Sequence, residues 1–310
     1  MVIYMESIIY DYYGYNFKES DNGIYKYKGY NFMFLAVSED ENNIIQMESI
    51  NSKVASIFNN DVVYLIKNKY NQYISTTMDN KNLCLLTYSN KINDINDIVK
   101  MHLSFIGQFN YFIDLNDIIL LWDQRIEYIY NQCLVSLNFD NQSHLDLYYN
   151  CIHAIGSAIN SLQYLKDINI DYKNTYNTTL THRRIKNIDK YELFNPFNYI
   201  IDHSSRDLAE LYKNDLISIT QLLNITYYYN YRIDEYQYLL ARLLFPTCIF
   251  DLIEDLATEN ISIDYSKKIY EVINKYHKQI KKTKEYYKII INMANIRPID
   301  WLNYKSYINI

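Results

Sequence analysis

The hydrophobic period of this chain changes once, near residue 90, and that change limits the folds open to it. Upstream the period is mostly two. Gly23-Ile24-Tyr25-Lys26-Tyr27-Lys28-Gly29 alternates, Tyr30 to Val37 becomes mostly apolar, and Gly29 can turn between them. After the polar Ser38-Glu39-Asp40-Glu41, the residues Ile44, Met47, Ile50, Val54, Ile57 and Phe58 recur on one helical face. Val62–Ile66, Gln72–Thr76 and Asn82–Tyr88 read as three further strands. Ser89 to Asp97 is polar and serves as a linker. Helical spacing follows over Ile98–Phe109, Leu115–Asn131, Leu145–Leu165, 206–224, 232–258 and 264–294. Pro246 breaks the fifth of these, because it cannot donate a backbone bond. Leu145–Leu165 is apolar almost all round, the pattern of a centrally buried helix. The expectation is an α+β protein with a β-rich lobe over 1–90, containing one helix, and a helical lobe over 91–310.

At 310 residues the chain can bury a large core and form two lobes. Its formal net charge of −6 offers no general attraction to nucleic acid or an anionic membrane. No window approaches the ~18 apolar residues of a membrane span, and Met1 to Tyr10 lacks the basic start and small-residue site of a signal peptide. Cys84, Cys133, Cys151 and Cys248 are scattered in apolar runs, as expected of buried thiols in a reducing compartment. The 36 tyrosines have two readings, an A+T-rich genome or surface adhesion and cross-linking.

Chemistry concentrates in two stretches. Ile200-Ile201-Asp202 ends an apolar strand in a carboxylate and leads through His203-Ser204-Ser205 into Arg206-Asp207-Leu208-Ala209-Glu210. Upstream lies Thr181-His182-Arg183-Arg184-Ile185-Lys186-Asn187-Ile188-Asp189. Phosphoryl-transfer sites are assembled from such pieces: a carboxylate two residues after the His, a metal-holding amide five residues later, and a strand-end Asp. Here the first position holds Arg184 and the second Asp189. A guanidinium stays protonated, so Arg184 cannot accept a proton; it can hold an anion or pair with Asp189 or Asp202. Gly14, Gly23 and Gly29 are too dispersed for a phosphate loop, and no cation lies on Phe32–Val37. Lys26 and Lys28 read as solvated, and Glu48 as part of a solvated helix face.

Asp202 admits two alignments. It is either the metal-binding Asp or the later Asp of an Asp-Pro-x-x-x-Asp-Leu-Ala element with His203 in place of Pro, and the five-residue step to Asp207 favours the second. Asp207, opening a helix, reads as a buried structural carboxylate, with Arg206 beside it also structural. The six histidines show no metal spacing. The Lys- and Tyr-rich Lys267–Lys288 reads as a solvated amphipathic helix.

These elements resemble, in their order, the kinase-like spore coat proteins of endospore-forming Firmicutes, in the YutH-like branch of the CotS group, relatives of the aminoglycoside and choline phosphotransferases. The resemblance is carried by Asn68-x-x-x-Gln72-Tyr73, Leu121-Trp122-x-x-Arg125-Ile126-Glu127, Tyr148-Tyr149, Gln163-Tyr164-Leu165, Thr181-His182-Arg183-Arg184, Asp202-His203-x-x-Arg206-Asp207-Leu208-Ala209-Glu210, Ala241-Arg242-Leu243-Leu244-Phe245-Pro246 and Ile299-Asp300-Trp301-Leu302. It implies a two-lobed protein-kinase-like (aminoglycoside phosphotransferase-like) fold, an eroded catalytic loop, and cytoplasmic synthesis followed by assembly with spore coat proteins. The expectation is a degenerate kinase fold with a structural or binding role. Its cleft would be lined by His182, Arg184, Asp202 and His203, taking an anionic group or nothing, with no cofactor. The alternative is a small-molecule phosphotransferase using Mg-ATP with Asp189 and Asp202 on the metal. A third reading is an intracellular interaction module unrelated to spores.

Overall fold

The computed structural model describes residues 8–16, 19–20, 23–89, 93–109, 111–137, 139–172, 176–258, 265–293 and 296–303. Residues 1–7, 90–92 of the expected linker, and positions 264 and 294 at the ends of the last expected helix lie outside them. In chain order come β1 (Glu19–Ser20), β2 (Ile24–Tyr27), β3 (Tyr30–Ala36), α1 (Glu41–Ile57), β4 (Tyr64–Ile66), β5 (Ile74–Thr76), β6 (Asn82–Ser89) and α2 (Ile95–Phe105). Then follow β7 (Phe112–Ile113), α3 (Leu115–Tyr128), α4 (Gln142–Asp171), β8 (Tyr176–Asn177), β9 (Thr179–His182), α5 (Lys190–Phe194) and β10 (Tyr199–Asp202). The helices α6 (Ser205–Lys213), α7 (Ile219–Tyr228), α8 (Ile233–Leu244), α9 (Thr247–Thr258), α10 (Ser266–Ile290) and α11 (Asp300–Asn303) complete the chain. Two compact units result: Met1–Ile106 with Leu180–Ile201, and Gly107–Thr179 with Asp202–Ile310.

In the first unit, β6 is the strand on which the sheet is built. It pairs antiparallel with β3, β4 and β5, and the sheet runs β1-β2-β3-β6-β4. Its run Leu83-Cys84-Leu85-Leu86 is buried throughout, as a strand covered on both faces must be. Lys28 and Gly29 both take positive φ, 48° and 85°, so the two-residue turn between β2 and β3 matches the twist of the strands it joins. Asp40 caps α1 by accepting from the Asn43 amide at 2.8 Å. Ile44, Val54 and Ala55 of that helix are buried, and Asn51 donates to the Val63 carbonyl at 2.9 Å. Glu41 accepts from the amides of Tyr73 and Ile74, which ties the start of β5 to the same helix. Glu48 is half-buried rather than solvated, and burial pushes its carboxyl pKa up.

The second unit packs α3, α4, α9 and α10 around Ile126, Leu147, Cys151, Ile249, Ile253 and Ile273. Ser157 and Ser161 of α4 donate to the carbonyls of Leu244 and Ala241 at 2.8 and 2.6 Å, so small side chains let α8 lie close. The expectation that α4 is buried all round is corrected: Ile152 and Ile159 are 41% and 55% exposed. Only the Cys151, Ala154, Ala158 and Leu162 side meets the core. Leu103 and Leu121 also face solvent. Residues 206–224 form two helices rather than one, since Asp215 turns the chain at φ 61° and Ser218 opens α7 with a capping box. The break at Pro246 holds. All four cysteines are free, Cys248 half-buried and the rest buried. Among the described residues no helix is long and apolar enough to cross a membrane.

Lys213, only 4% exposed, sets the join between α8 and α9. Its ammonium donates to the carbonyls of Arg242 and Phe245 at 2.6 and 2.7 Å. The Arg242 carbonyl lies one helical turn before Pro246, which has no amide to donate to it, and the Phe245 carbonyl also accepts from the Thr247 amide at 3.0 Å. Lys213→Ala is expected to lower the unfolding free energy by about 1.5–3 kcal/mol, because the Arg242 carbonyl loses its charged donor with no amide to replace it; urea denaturation monitored by far-UV dichroism measures it.

Candidate functional site

β9 delivers His182 into the interior of the first unit. The ring is fully buried, and its Nε2 lies 2.9 Å from the Leu193 carbonyl, which makes Nε2–H the donor. The following loop folds onto itself. The Arg183 amide donates to the Asn198 carbonyl at 2.7 Å. The Asn198 side chain accepts from the Arg184 amide at 3.2 Å and donates to the carbonyls of Arg184 and Glu192 at 2.8 and 3.0 Å. Glu192 accepts from the Lys186 amide at 2.9 Å. Asp189, at the metal-amide position, caps α5 by accepting from the Glu192 amide at 2.7 Å. Arg184 donates to its neighbour's carbonyl at 3.3 Å and, with Lys186, Glu192 and Asn195, lines an open depression of about 280 Å³. Next to the capping Asp189, Lys190 is buried and reaches Asp61 and the Ser89 hydroxyl.

In the second unit, Asp202 ends β10 and is buried. Its Oδ1 accepts from the His203 amide at 2.6 Å and from Arg242 at 2.8 Å. Its Oδ2 accepts from Arg206 and Arg242, each at 2.9 Å. Arg206 is the next-turn neighbour of Asp202, while Arg242 arrives from the middle of α8 and also donates to the Tyr238 hydroxyl at 2.7 Å. Burial alone would raise the Asp202 pKa; Arg242 and Arg206, with the His203 amide, outweigh it and hold the carboxyl below the usual range. His203 is buried against the rings of Tyr176, Tyr231 and Tyr238. Its Nδ1 accepts from the Ser205 amide at 3.2 Å and its Nε2 donates to Glu235 at 3.0 Å, which fixes one tautomer. Burial alone would raise the Glu235 pKa; the hydrogen bond from His203, with the Arg232 amide and guanidinium, outweighs it and holds the carboxyl below its ordinary value. Asp207 is fully buried in the first turn of α6.

The expected pocket thus has two members in each unit, His182 and Arg184 in one and Asp202 and His203 in the other. The side-chain bonds of His182, Asp202 and His203 described above stay within their own units. Two residues were missed from the sequence as site members, Lys190 and Arg242. Arg242 carried a signal: a lone guanidinium within Leu239–Leu244 needs a buried acid. Lys190, flanked by Asp189 and Tyr191, carried none.

A scan against family descriptions matches residues 6–293 to the one described as "Spore coat putative kinase YutH". The chain belongs to this family. No curated protein matches it. Among solved structures, an aminoglycoside phosphotransferase from Alicyclobacillus acidocaldarius is similar over 91% of this chain and 93% of its own, at 13% identity and a TM-score of 0.60. A spectinomycin phosphotransferase, solved with ADP and spectinomycin, is similar over 90% of this chain and 98% of its own, at 10% identity and a TM-score of 0.55. A two-lobed aminoglycoside phosphotransferase-like fold therefore stands for this YutH-family chain.

That fold implies Mg-ATP, and the residues at the motif positions do not fit it. A hard divalent cation needs free carboxylate lone pairs, but both oxygens of Asp202 already accept from guanidinium groups. Among the described residues no group of three or more His, Cys, Asp or Glu is placed to hold a metal ion. Asp202→Asn is expected to cost about 3–5 kcal/mol at neutral pH, since it leaves two partly buried arginines without their counter-charge. The folded pKa is depressed, so the carboxylate's contribution is present above the unfolded value of about 3.9 and disappears as pH falls through the lower folded value. Thermal melts from pH 7 to pH 3 should show the gap between wild type and variant closing below about pH 4.

Proposed function

We propose that this YutH-family protein is a catalytically degenerate kinase fold with a structural or binding role in spore coat assembly. The observation that carries the reading is the saturation of Asp202 by Arg206 and Arg242, together with a permanent cation, Arg184, at the proton-acceptor position. Phosphoryl transfer depends on a positioned carboxylate to orient the nucleophile and on metal held by free oxygens. Here the strand-end carboxylate holds α8 to β10, and the metal-amide position caps a short helix. Both have become parts of the framework.

The binding side of the role falls to the depression that holds Arg184 and Lys186. Two cations beside the Asn195 amide suit a carboxylate or phosphate group, presented by a small molecule or a coat partner.

Purified protein mixed with millimolar ATP or GTP and Mg²⁺ is expected to show no rise in melting temperature, whereas a ligand at a hundred times its Kd stabilises by about 2.7 kcal/mol. With γ-labelled nucleotide and sporulating-cell extract as acceptor, no label should leave the nucleotide. Label transfer that stops in Asp189→Ala would instead establish a phosphotransferase.

A further inference from the structure

Two helices of the second unit present faces of opposite charge. α10 carries eight lysines and two glutamates, although the whole chain has a formal net charge of −6. Its Ile269, Ile273 and Tyr276 enter the core. On the solvent side Lys275, Lys278, Lys281 and Lys288 are exposed. Among the described residues none of these four has a carboxylate within ion-pair distance; the ion pairs of this helix are made by Lys267, Lys268 and Lys282. Glu285, also exposed, is engaged by the Tyr212 hydroxyl at 2.7 Å.

α3 has the opposite character. Its Ile126 enters the same core. Asp114 at its cap and Asp117, Asp123 and Glu127 along it are exposed, and none of them is ion-paired among the described residues. The cation of this helix, Arg125, is taken by Asp251 and Glu254. Between the acids lie Leu120 and Leu121, 57% and 63% exposed. The span from Lys275 to Lys288 equals that from Asp114 to Glu127, each about 20 Å along a helix axis.

We propose that α10 of one copy lies antiparallel along α3 of a second copy, so that the protein associates with itself head to tail. The antiparallel sense puts Lys288 beside Asp114 and Asp117, and Lys275 and Lys278 beside Glu127 and Asp123. It also sets the two helix dipoles in opposition. The stem of Lys281 falls on the exposed leucine pair, where its methylenes cover apolar surface and its charge stays in water. Salt confines such attraction to ~8 Å at physiological ionic strength, so the facing stripes outweigh the like net charge of two copies. Because the two faces differ, the contact is heterologous. A molecule held through α3 still offers α10, and growth continues unless the rotation closes a ring. The association does not depend on the role proposed for the protein.

Sedimentation velocity of the full chain over a range of concentrations tests the contact. The weight-average sedimentation coefficient should rise with concentration at about 0.05 M NaCl and stay at the monomer value at about 0.5 M. Reversing the α10 face with Lys278→Glu and Lys281→Glu should weaken self-association about tenfold or more, and so should reversing the α3 face with Asp117→Lys and Glu127→Lys. An equal mixture of the two double variants should recover wild-type association, because each then supplies the charge the other lacks. Recovery on mixing separates a lost contact from a lost fold; should one reversal fail to fold, the salt dependence and the other reversal decide. A chain that stays monomeric at the lower salt would overturn the proposal. So would association indifferent to either reversal, or a mixture of folded variants that does not recover. A monomeric chain that instead binds labelled single-stranded RNA, and loses it on Lys278→Glu with Lys281→Glu, would make α10 a nucleic-acid face and overturn the proposal as well.

Discussion

The pairing of Asp202 with Arg242 organises the second unit. A buried carboxylate is tolerable only when its lone pairs are filled, and a buried guanidinium only when its charge is met. Each residue is therefore a condition for the other's burial, and the pair joins the end of β10 to the centre of α8. The Tyr238 hydroxyl, bonded to Arg242, brings in the ring cluster around His203. His203 in turn fixes Glu235 at the start of α8. Asp202, Arg242 and the Tyr238 hydroxyl are joined by hydrogen bonds, His203 and Glu235 by another, and the Tyr238 and His203 rings bring the two sets together.

The loop after β9 follows the same logic with different means. Its polar side chains are turned onto its own backbone. Asn198 holds three backbone positions, Asp189 and Glu192 hold two more, and His182 is tied to Leu193. A loop whose side chains are engaged by its own backbone is held in one conformation by those bonds.

Much of this was legible in the residues, because periodicity and turn chemistry are local. The Lys28-Gly29 turn, the apolar run of β6 and the break at Pro246 can each be read from a few neighbours. Asp207 at a helix start followed from spacing. What escaped depends on partners distant in sequence. Asp202 and Arg242 are forty residues apart, and Lys190 and Asp61 about three times that. The polarity of α4 also escaped, because Ile152 and Ile159 look like core residues until the surroundings of the helix are known.

The contact of Lys190 with Asp61 and Ser89 has a consequence for how this chain is made. The strand-rich unit takes its buried cation from a segment translated a hundred residues after the sheet is complete. A ribosome that has released β1 to β6 has not yet released the Lys190 that meets Asp61. That contact can form only once α5 has emerged, after Gly107–Thr179 of the second unit has been synthesised. An intact polypeptide through Ile201 is the smallest piece that holds every residue of the first unit.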